Sequence, residues 1–338
     1  MDYGKKVLEY RDECQRKDML DTSYGLPTWE RGGLTNTSIA LQRPVENPWI
    51  SLSAWLAMLF ASDLPDILSS AIFGQVSPWL FYGKVALLAL FFCACVFWVN
   101  LRSLKPYASV MLVLVLAFGA SDWVRNQAWW QGLVSDTPSF FLGYLRPYLR
   151  KAGVALVVIA ALWMVKRRRS GFFLVRGQLD APIEPVRWLA IRQGESWRTF
   201  GWIFAFCAAA AVAVPTLMNL HLSADLLARV VPALPAVLLF AAINAFSEEI
   251  CFRAVLLATL PHVIGRRQAL LINAVFFGLA HYLYGTPSGL VGFLMTALLA
   301  WILGKSMLET RGLFWAWFIH FLPDVVIFAS FAVAWVQG

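Results

Sequence analysis

Repeated apolar stretches of about 20 residues are the feature that most constrains how this chain can fold. An α-helix rises about 1.5 Å per residue, so a stretch of this length crosses the roughly 30 Å hydrocarbon layer of a membrane. Hydrophobic residues make up 59% of the 338 residues and charged residues only 14%, which excludes an ordinary soluble enzyme. The sequence therefore predicts an all-α fold, a polytopic transmembrane helical bundle.

The apolar stretches define about eight or nine candidate spans, separated by short connectors. They cover residues 48–73, 80–100, 107–120, 152–165, 200–219, 230–260, 269–285, 289–308 and 313–336. Two of them, 107–120 and 152–165, are short for a full crossing. The long connector 121–151 contains paired aromatic residues in amphipathic stretches, which favours an interfacial helix there.

The basic residues predict the orientation of the bundle. The loop 166–198 carries eight Lys or Arg and three Asp or Glu, and loops of this kind face the cytoplasm. Alternation of the spans then places the basic residues near 102–105, 266–267 and 305–311 on the same side. We expect a multi-pass protein of a bacterial inner membrane with its N-terminus in the cytoplasm. Its net charge of +8 gathers in connectors, so membrane lipid is an expected partner and nucleic acid is not.

Three regions follow from this pattern. Residues 1–47 are mixed in charge and lack the apolar core of a signal peptide, so they are predicted to form a soluble cytoplasmic extension. Residues 48–194 are predicted to form an N-terminal transmembrane region with a basic cytoplasmic loop. Residues 195–338 contain the ionisable residues that need a functional explanation.

Two adjacent acids lie in the middle of one span of this third region. Each charged residue at the centre of a transmembrane helix costs roughly 2.5–3.5 kcal/mol on insertion scales. Arg253 follows Glu249 by one helical turn and is predicted to pair with it. Glu248 faces elsewhere, lacks that partner and is therefore the acid expected to act in catalysis.

Two further spans carry histidine. His281 follows Phe277 by one turn, and His320 precedes Asp324 by one turn, so that each pair shares a helix face. Counted from the cytoplasmic ends, these groups and Glu248 are expected at depths of roughly 12–18 Å. Three helices thus place an acid and two imidazoles at a similar depth in the membrane. This favours one common functional site over independent roles of these residues in helix packing.

Three short motifs in this region resemble those of the CAAX protease and bacteriocin-processing (CPBP) family of intramembrane endopeptidases, to which the prenyl-protein CAAX endopeptidases are related. Residues 247–253 resemble the EExxxR motif, 277–281 the FxxxH motif, and 320–324 the third motif, Hxxx followed by Asn or Asp. The order of the motifs along the chain also matches. Ala254 stands where many members have Gly, and Asp324 stands where the prenyl-protein endopeptidases have Asn.

The resemblance implies a four-helix CAAX protease core within residues 195–338, and hydrolysis of a peptide bond in a membrane protein or in a lipidated or peptide substrate. It assigns Glu248 to the activation of a water molecule. The residues implied to stabilise that water and the oxyanion are His281, His320 and Asp324. The residues implied to support them are Glu249, Arg253 and Phe277.

A metal ion is an open alternative for the same residues. Imidazole nitrogen and carboxylate oxygen suit zinc or another divalent ion that keeps one position for water. The candidate ligands are Glu248, His281, His320 and Asp324. The HExxH pair of zinc site-2 proteases is absent from the sequence, which favours a glutamate-activated water.

Two other functions compete with proteolysis. In a non-proteolytic immunity or scaffold protein of the same fold, the buried polar residues would organise the helical bundle. Proton-coupled transport is also compatible with carboxylates and histidines inside a membrane. Transport would call for inverted repeats or broken helices, and the sequence has no such symmetry.

Overall fold

A computed structural model describes residues 47–133, 139–218, 223–285 and 287–337, all within the compact unit Pro44–Gly338. The predicted soluble extension, residues 1–47, lies outside the described residues except for Asn47. Most of the described residues are helical, and they contain no β-strand, only isolated bridges near residues 182–196. The predicted all-α class is confirmed.

The longer helices are labelled in chain order. They are α1 (Pro48–Ala61), α2 (Leu64–Phe73), α3 (Trp79–Phe97), α4 (Lys105–Arg125), α5 (Phe140–Lys166), α6 (Trp197–Met218), α7 (Ala224–Val230), α8 (Leu234–Glu248), α9 (Arg266–Tyr284), α10 (Gly289–Thr310) and α11 (Phe314–Gln337). A π-helical segment, Glu249–Ala254, continues α8. The shorter helical turns are Val99–Leu104, Ala128–Gln131, Arg169–Phe172, Arg187–Leu189, Val231–Ala233, Val255–Leu257 and Pro261–Ile264.

Seven described helical segments are long and apolar enough to cross a membrane, or up to eight if the bent pair α1 and α2 is one span. The two helices of that pair meet at 54°, at the point where Asp63 and Pro65 interrupt the apolar run. Helix α9 corresponds to the predicted span 269–285 but is not among these seven or eight, since polar residues occupy its first turns. The polytopic architecture is confirmed.

Two spans that look short in the sequence are full-length helices. Helix α4 continues to Arg125, and α5 begins at Phe140 rather than at residue 152. Residues 121–125 and 140–151 of the predicted connector therefore belong to these two helices. The expected interfacial helix is wrong for these residues, which are parts of long helices instead. Charged side chains at positions 150 and 151 break the apolar run in the sequence, because hydropathy penalises a charge wherever it points.

The basic loop between α5 and α6 closes one end of the bundle, called here the basic end. The backbone N–H of Gln178 donates to the carbonyl of Thr310 at 2.8 Å, which ties the loop to the last turn of α10. Arg266 at the start of α9 pairs with Glu184 of the loop at 2.8 Å. The end of α5 and the starts of α6, α9 and α11 therefore lie together at the basic end.

Helix α8 is central to the part of the bundle that carries the ionisable residues. It packs against both α5 and α11, while α9 packs against α10 and contacts the π-helical segment. Side chains of α5, α8, α9 and α11 can therefore meet inside the protein. The predicted N-terminal transmembrane region and the predicted protease core pack together within one compact unit.

Close packing of α6 on α11 depends on Gly201. A Cβ atom there would lie 2.3 Å from the ring of the buried Trp315. We expect Gly201→Ala to lower the free energy of unfolding by about 1–3 kcal/mol, because the helices would have to move apart. Thermal unfolding in detergent measures the loss. Gly153→Ala on α5 is the control, since its Cβ would meet no atom within 4 Å; equal stabilities would contradict the prediction.

Candidate active site

Glu248, the last residue of α8, is held by a lysine from the first half of the chain. Its Oε1 accepts a hydrogen bond from Lys151 Nζ of α5 at 3.0 Å. Lys151 also donates to the Oδ1 of Asn244, one turn before Glu248. Only 14% of the Glu248 side chain is exposed. The expectation that Glu248 lacks a charged partner is therefore wrong, because it pairs with Lys151, about 100 residues earlier in the sequence.

Glu249 and Arg253 form the predicted ion pair at 3.0 Å, and both side chains are 0% exposed. The same Glu249 oxygen accepts a hydrogen bond from His320 Nδ1 at 2.8 Å. With Nδ1 donating, the other ring nitrogen of His320, Nε2, lies 3.6 Å from Glu248 Oε2 and 3.9 Å from Asp324 Oδ2. Glu249 thus balances the charge of Arg253 and also orients the His320 ring.

The helix changes its winding where the two glutamates meet. Residues Glu249–Ala254 form a π-helix, in which the hydrogen-bonded turn is one residue longer than in an α-helix. π-Helical segments are rare in proteins overall, and where they occur they often lie at functional sites. Glu249 and Arg253 still contact each other, because about one turn separates them in either geometry.

Phe277 of α9 fills the space between the buried ion pair and both histidines. Its ring centroid lies 4.1 Å from Arg253 Cζ, 4.4 Å from the ring of His281 and 6.0 Å from the ring of His320. The face of an aromatic ring attracts a cation, so Phe277 adds to the balancing of Arg253. His281 Nδ1 donates to the Phe277 carbonyl at 3.1 Å, which leaves its Nε2 for other partners.

Asp324 of α11 completes a chain of polar contacts across the bundle. Its Oδ2 accepts a hydrogen bond from Asn244 Nδ2 at 3.0 Å. Because Asn244 also accepts from Lys151, the amide connects the lysine of α5 to the carboxylate of α11. The sequence motifs include neither Lys151 nor Asn244. The spacing of Asn244, one turn before Glu248 on the same helix face, was the available signal.

A cavity of about 390 Å³ adjoins Glu248 and His281. Its polar and ionisable lining comes from α4, α5, the α8 and π-helical region, and α9, and comprises Ser121, Asp122, Arg125, Arg150, Lys151, Ser247, Glu248, Cys251, His281 and Tyr284. Arg150 donates to Ser121 Oγ at 3.2 Å, and Arg125 pairs with Asp122 at 3.5 Å. The side chains of Arg125 and Asp122 are 54% and 61% exposed, so the cavity reaches the surface near them.

The described side chains offer no ready-made set of three metal ligands. Zinc ligands lie about 2.0–2.3 Å from the metal and therefore converge on one point. Among the residues that the structure describes, no three His, Cys, Asp or Glu side chains are arranged to hold an ion. His320 Nδ1 is already hydrogen-bonded to Glu249, and one oxygen of Glu248 to Lys151.

Comparison with known proteins agrees with the motifs. Residues 230–326 match the family model described as Type II CAAX prenyl endopeptidase Rce1-like. The matched range includes Asn244, Glu248, Glu249, His281, His320 and Asp324, and it excludes Lys151. No curated protein and no solved structure matches the chain significantly. The chain thus carries an Rce1-like domain, which confirms the resemblance to the CPBP family and indicates a CAAX-type protease, hence a peptidase.

Loss of Glu249 should destabilise the fold. We expect Glu249→Ala to lower the free energy of unfolding by about 3–5 kcal/mol, because Arg253 would keep a buried charge without its counter-ion. Asp225→Ala is the matched control, since it removes an exposed pair with Arg229 at the same i,i+4 spacing. That loss should stay below about 1 kcal/mol. Unfolding of the two purified variants in detergent measures both, and a similarly small loss in each would refute the prediction.

Proposed function

We propose that this Rce1-like domain hydrolyses a peptide bond of a membrane-associated protein or peptide with a water molecule activated by Glu248. The proposal is carried by the approach of Glu248 Oε2 and Asp324 Oδ2 to His320 Nε2, at 3.6 and 3.9 Å. These distances exceed a direct hydrogen bond. A single water placed beside the three atoms, rather than between them, is within about 2.8 Å of each and can hydrogen-bond to them. The cavity beside Glu248 offers space for the substrate chain.

In the proposed reaction Glu248 acts first as a base and then as an acid. Its carboxylate takes one proton from the water as the water oxygen bonds to the carbonyl carbon of the substrate. The electron pair of the carbonyl double bond moves to its oxygen and forms an oxyanion. When this intermediate collapses, the C–N bond breaks and the leaving amine takes the proton from Glu248. The products are a carboxylic acid and an amine.

The histidines fit best as acceptors that orient the water. Each donates its Nδ1–H to the protein, His320 to Glu249 and His281 to the carbonyl of Phe277. A neutral imidazole has a single N–H, so Nε2 of each ring offers a lone pair. His320 can then accept the second hydrogen of the attacking water. The sequence expectation that the histidines donate to the oxyanion is replaced by this role in the proposal.

Lys151 fits the role of oxyanion donor. An ammonium group has three N–H donors, and Glu248 and Asn244 accept two of them. Its side chain is 43% exposed and lines the cavity, so the third N–H is available to a substrate carbonyl. A donor aimed at a developing oxyanion in a low-dielectric site is worth a few kcal/mol, of the order of 10²–10³ in kcat. Asn244 and Asp324 hold the lysine in place.

Glu248→Gln tests the proposal directly. We expect it to lower cleavage by about 10²–10⁴-fold, because an amide cannot take a proton from water. Mass spectrometry of protein termini, in cells with the variant or the wild type, should show mature termini that need Glu248. Glu195→Gln in the basic loop is the control. Undiminished cleavage at normal protein levels would refute the proposal and favour the scaffold function. Cleavage that is lost on adding a chelator would refute the metal-free chemistry.

Lys151 can be tested on a peptide that spans a Glu248-dependent cleavage site. We expect Lys151→Met to lower kcat about 10²–10³-fold with a smaller effect on KM, because the lost contact forms mainly in the transition state. Lys151→Arg keeps the charge and should recover part of the rate. Lys166→Met, at the far end of the same helix, is the control and should leave kcat unchanged. A kcat unaffected by Lys151→Met would remove the lysine from the mechanism.

A further inference from the structure

The cavity opens far from the helix ends that start at the basic end. Its exposed rim includes Asp122 and Arg125, in the last turn of α4, and Tyr284, the last residue of α9. At about 1.5 Å per residue, the last turns of α4 and α9 lie roughly 27–30 Å from the starts of these helices. That distance is close to the full thickness of the hydrocarbon layer.

Helices α4 and α9 start at the same end of the bundle. Tyr107, in the first turn of α4, donates its hydroxyl to the carbonyl of Ala54 at 3.1 Å. The next residue of α1, Trp55, donates to Gln268 in the first turn of α9 at 3.0 Å. Because the start of α9 is bound to the basic loop through Arg266, both helices begin at the basic end and finish at the opposite end.

Helix α5 runs in the opposite direction, and it too places the cavity far from the basic end. Its last residue, Lys166, adjoins the basic loop, while Lys151 lies roughly 22 Å further along the helix from that end. The basic loop packs closely against the last turn of α10 at the basic end. A Cβ atom at Gly177 of the loop would lie only 2.6 Å from the carbonyl oxygen of Thr310 and 2.7 Å from Gly312 Cα.

The two ends differ sharply in their content of lysine and arginine. The connectors at the end where the cavity opens, residues 74–78, 126–139, 219–223 and 285–288, contain no Lys or Arg in the sequence. The connectors of the opposite end, residues 98–104, 167–196, 265 and 311–313, contain Arg102, Arg167, Arg168, Arg169, Arg176, Arg187, Arg192 and Arg311. Among the terminal residues of the helices themselves, the cavity end has Arg125 and Arg229, and the basic end has Lys105, Lys166, Arg198, Arg266 and Arg267. Short loops rich in Lys and Arg stay in the cytoplasm, whereas loops without them cross the membrane.

We propose that the cavity beside Glu248 opens to the non-cytoplasmic face of the membrane. Its substrates are then segments of membrane-anchored polypeptide that have already been translocated, and not chain ends that remain in the cytoplasm. The statement about substrates rests on the proposed protease function. The side on which the cavity opens does not depend on that function, because it follows from helix direction and charge alone.

Thiol labelling tests the side of opening without any need for activity. Single cysteines are introduced at the rim (Asp122→Cys and, separately, Arg125→Cys) and in the basic loop (Arg187→Cys), in a full-length chain whose five native cysteines are replaced. Intact cells receive a membrane-impermeant maleimide, and permeabilised cells serve as the reference. We expect the rim cysteines to react in intact cells and Arg187→Cys to react only after permeabilisation.

The reverse labelling pattern would overturn the proposal. Reaction of the loop cysteine in intact cells would also overturn it, as would the failure of both rim cysteines to react there. A Gly153→Cys chain, on α5 where a new side chain meets no atom within 4 Å, reports whether the cysteine-replaced protein folds and reaches the membrane. The abundance of this variant in the membrane and its thermal stability in detergent are measured for this purpose.

A second measurement concerns the substrates. Termini that depend on Glu248 are sorted by whether the cut segment is digested when intact cells are treated with an external protease. We expect the Glu248-dependent termini to lie in segments exposed outside. Termini confined to cytoplasmic segments would overturn the proposed substrate class. If no terminus depends on Glu248, the protease function fails, while the labelling result still decides the side on which the cavity opens.

Discussion

Each of the two adjacent glutamates deep in the bundle is balanced by a cation, and this requirement organises the site. Glu249 meets it within its own helix through Arg253, and Glu248 meets it through Lys151 of a distant helix. An unpaired charge in a medium of low dielectric constant would cost several kcal/mol. The Lys151–Glu248 pair therefore holds α5 against α8, and the hydrogen bond from His320 to Glu249 holds α11 against the π-helical segment.

The surroundings of the two neighbouring glutamates differ, which is why the proposed function gives them separate tasks. Glu249 is fully buried among Arg253, His320 and the ring of Phe277, so its contacts leave little freedom to move. Glu248 keeps 14% of its side chain exposed and borders the cavity. In the proposed function, the inner pair orients a histidine, and the acid beside it has the access to water that a general base needs.

The first half of the chain contributes to the site as well as to the bundle. The Rce1-like match covers residues 230–326, yet the lysine bound to Glu248 belongs to α5, and α4 and α5 supply much of the cavity wall. The matched domain thus meets a cavity wall that comes from outside the domain. In the proposed function, a substrate encounters that surface first, so the surface sets which polypeptide segments enter.

Local features of the site could be predicted from the sequence because they depend on spacing along a single helix. The pairing of Glu249 with Arg253, the shared face of His320 and Asp324, and the contact of Phe277 with His281 are all relations of one turn. The apolar runs likewise determined that the chain is a polytopic helical bundle. The lengths of α4 and α5 were underestimated, since charges that point into a protein cavity look in the sequence like charges that end a helix.

Only the tertiary structure decided which partners meet across helices. Lys151 lies about 100 residues before Glu248, and Asn244 joins it to Asp324 through contacts that no sequence spacing encodes. The same holds for the direction in which the cavity opens, because it depends on which helix ends adjoin each other. The sequence by itself determined which groups are too costly to leave unpaired in a membrane; helix packing decided how each of them is paired, since distant residues meet only through the geometry of the whole bundle.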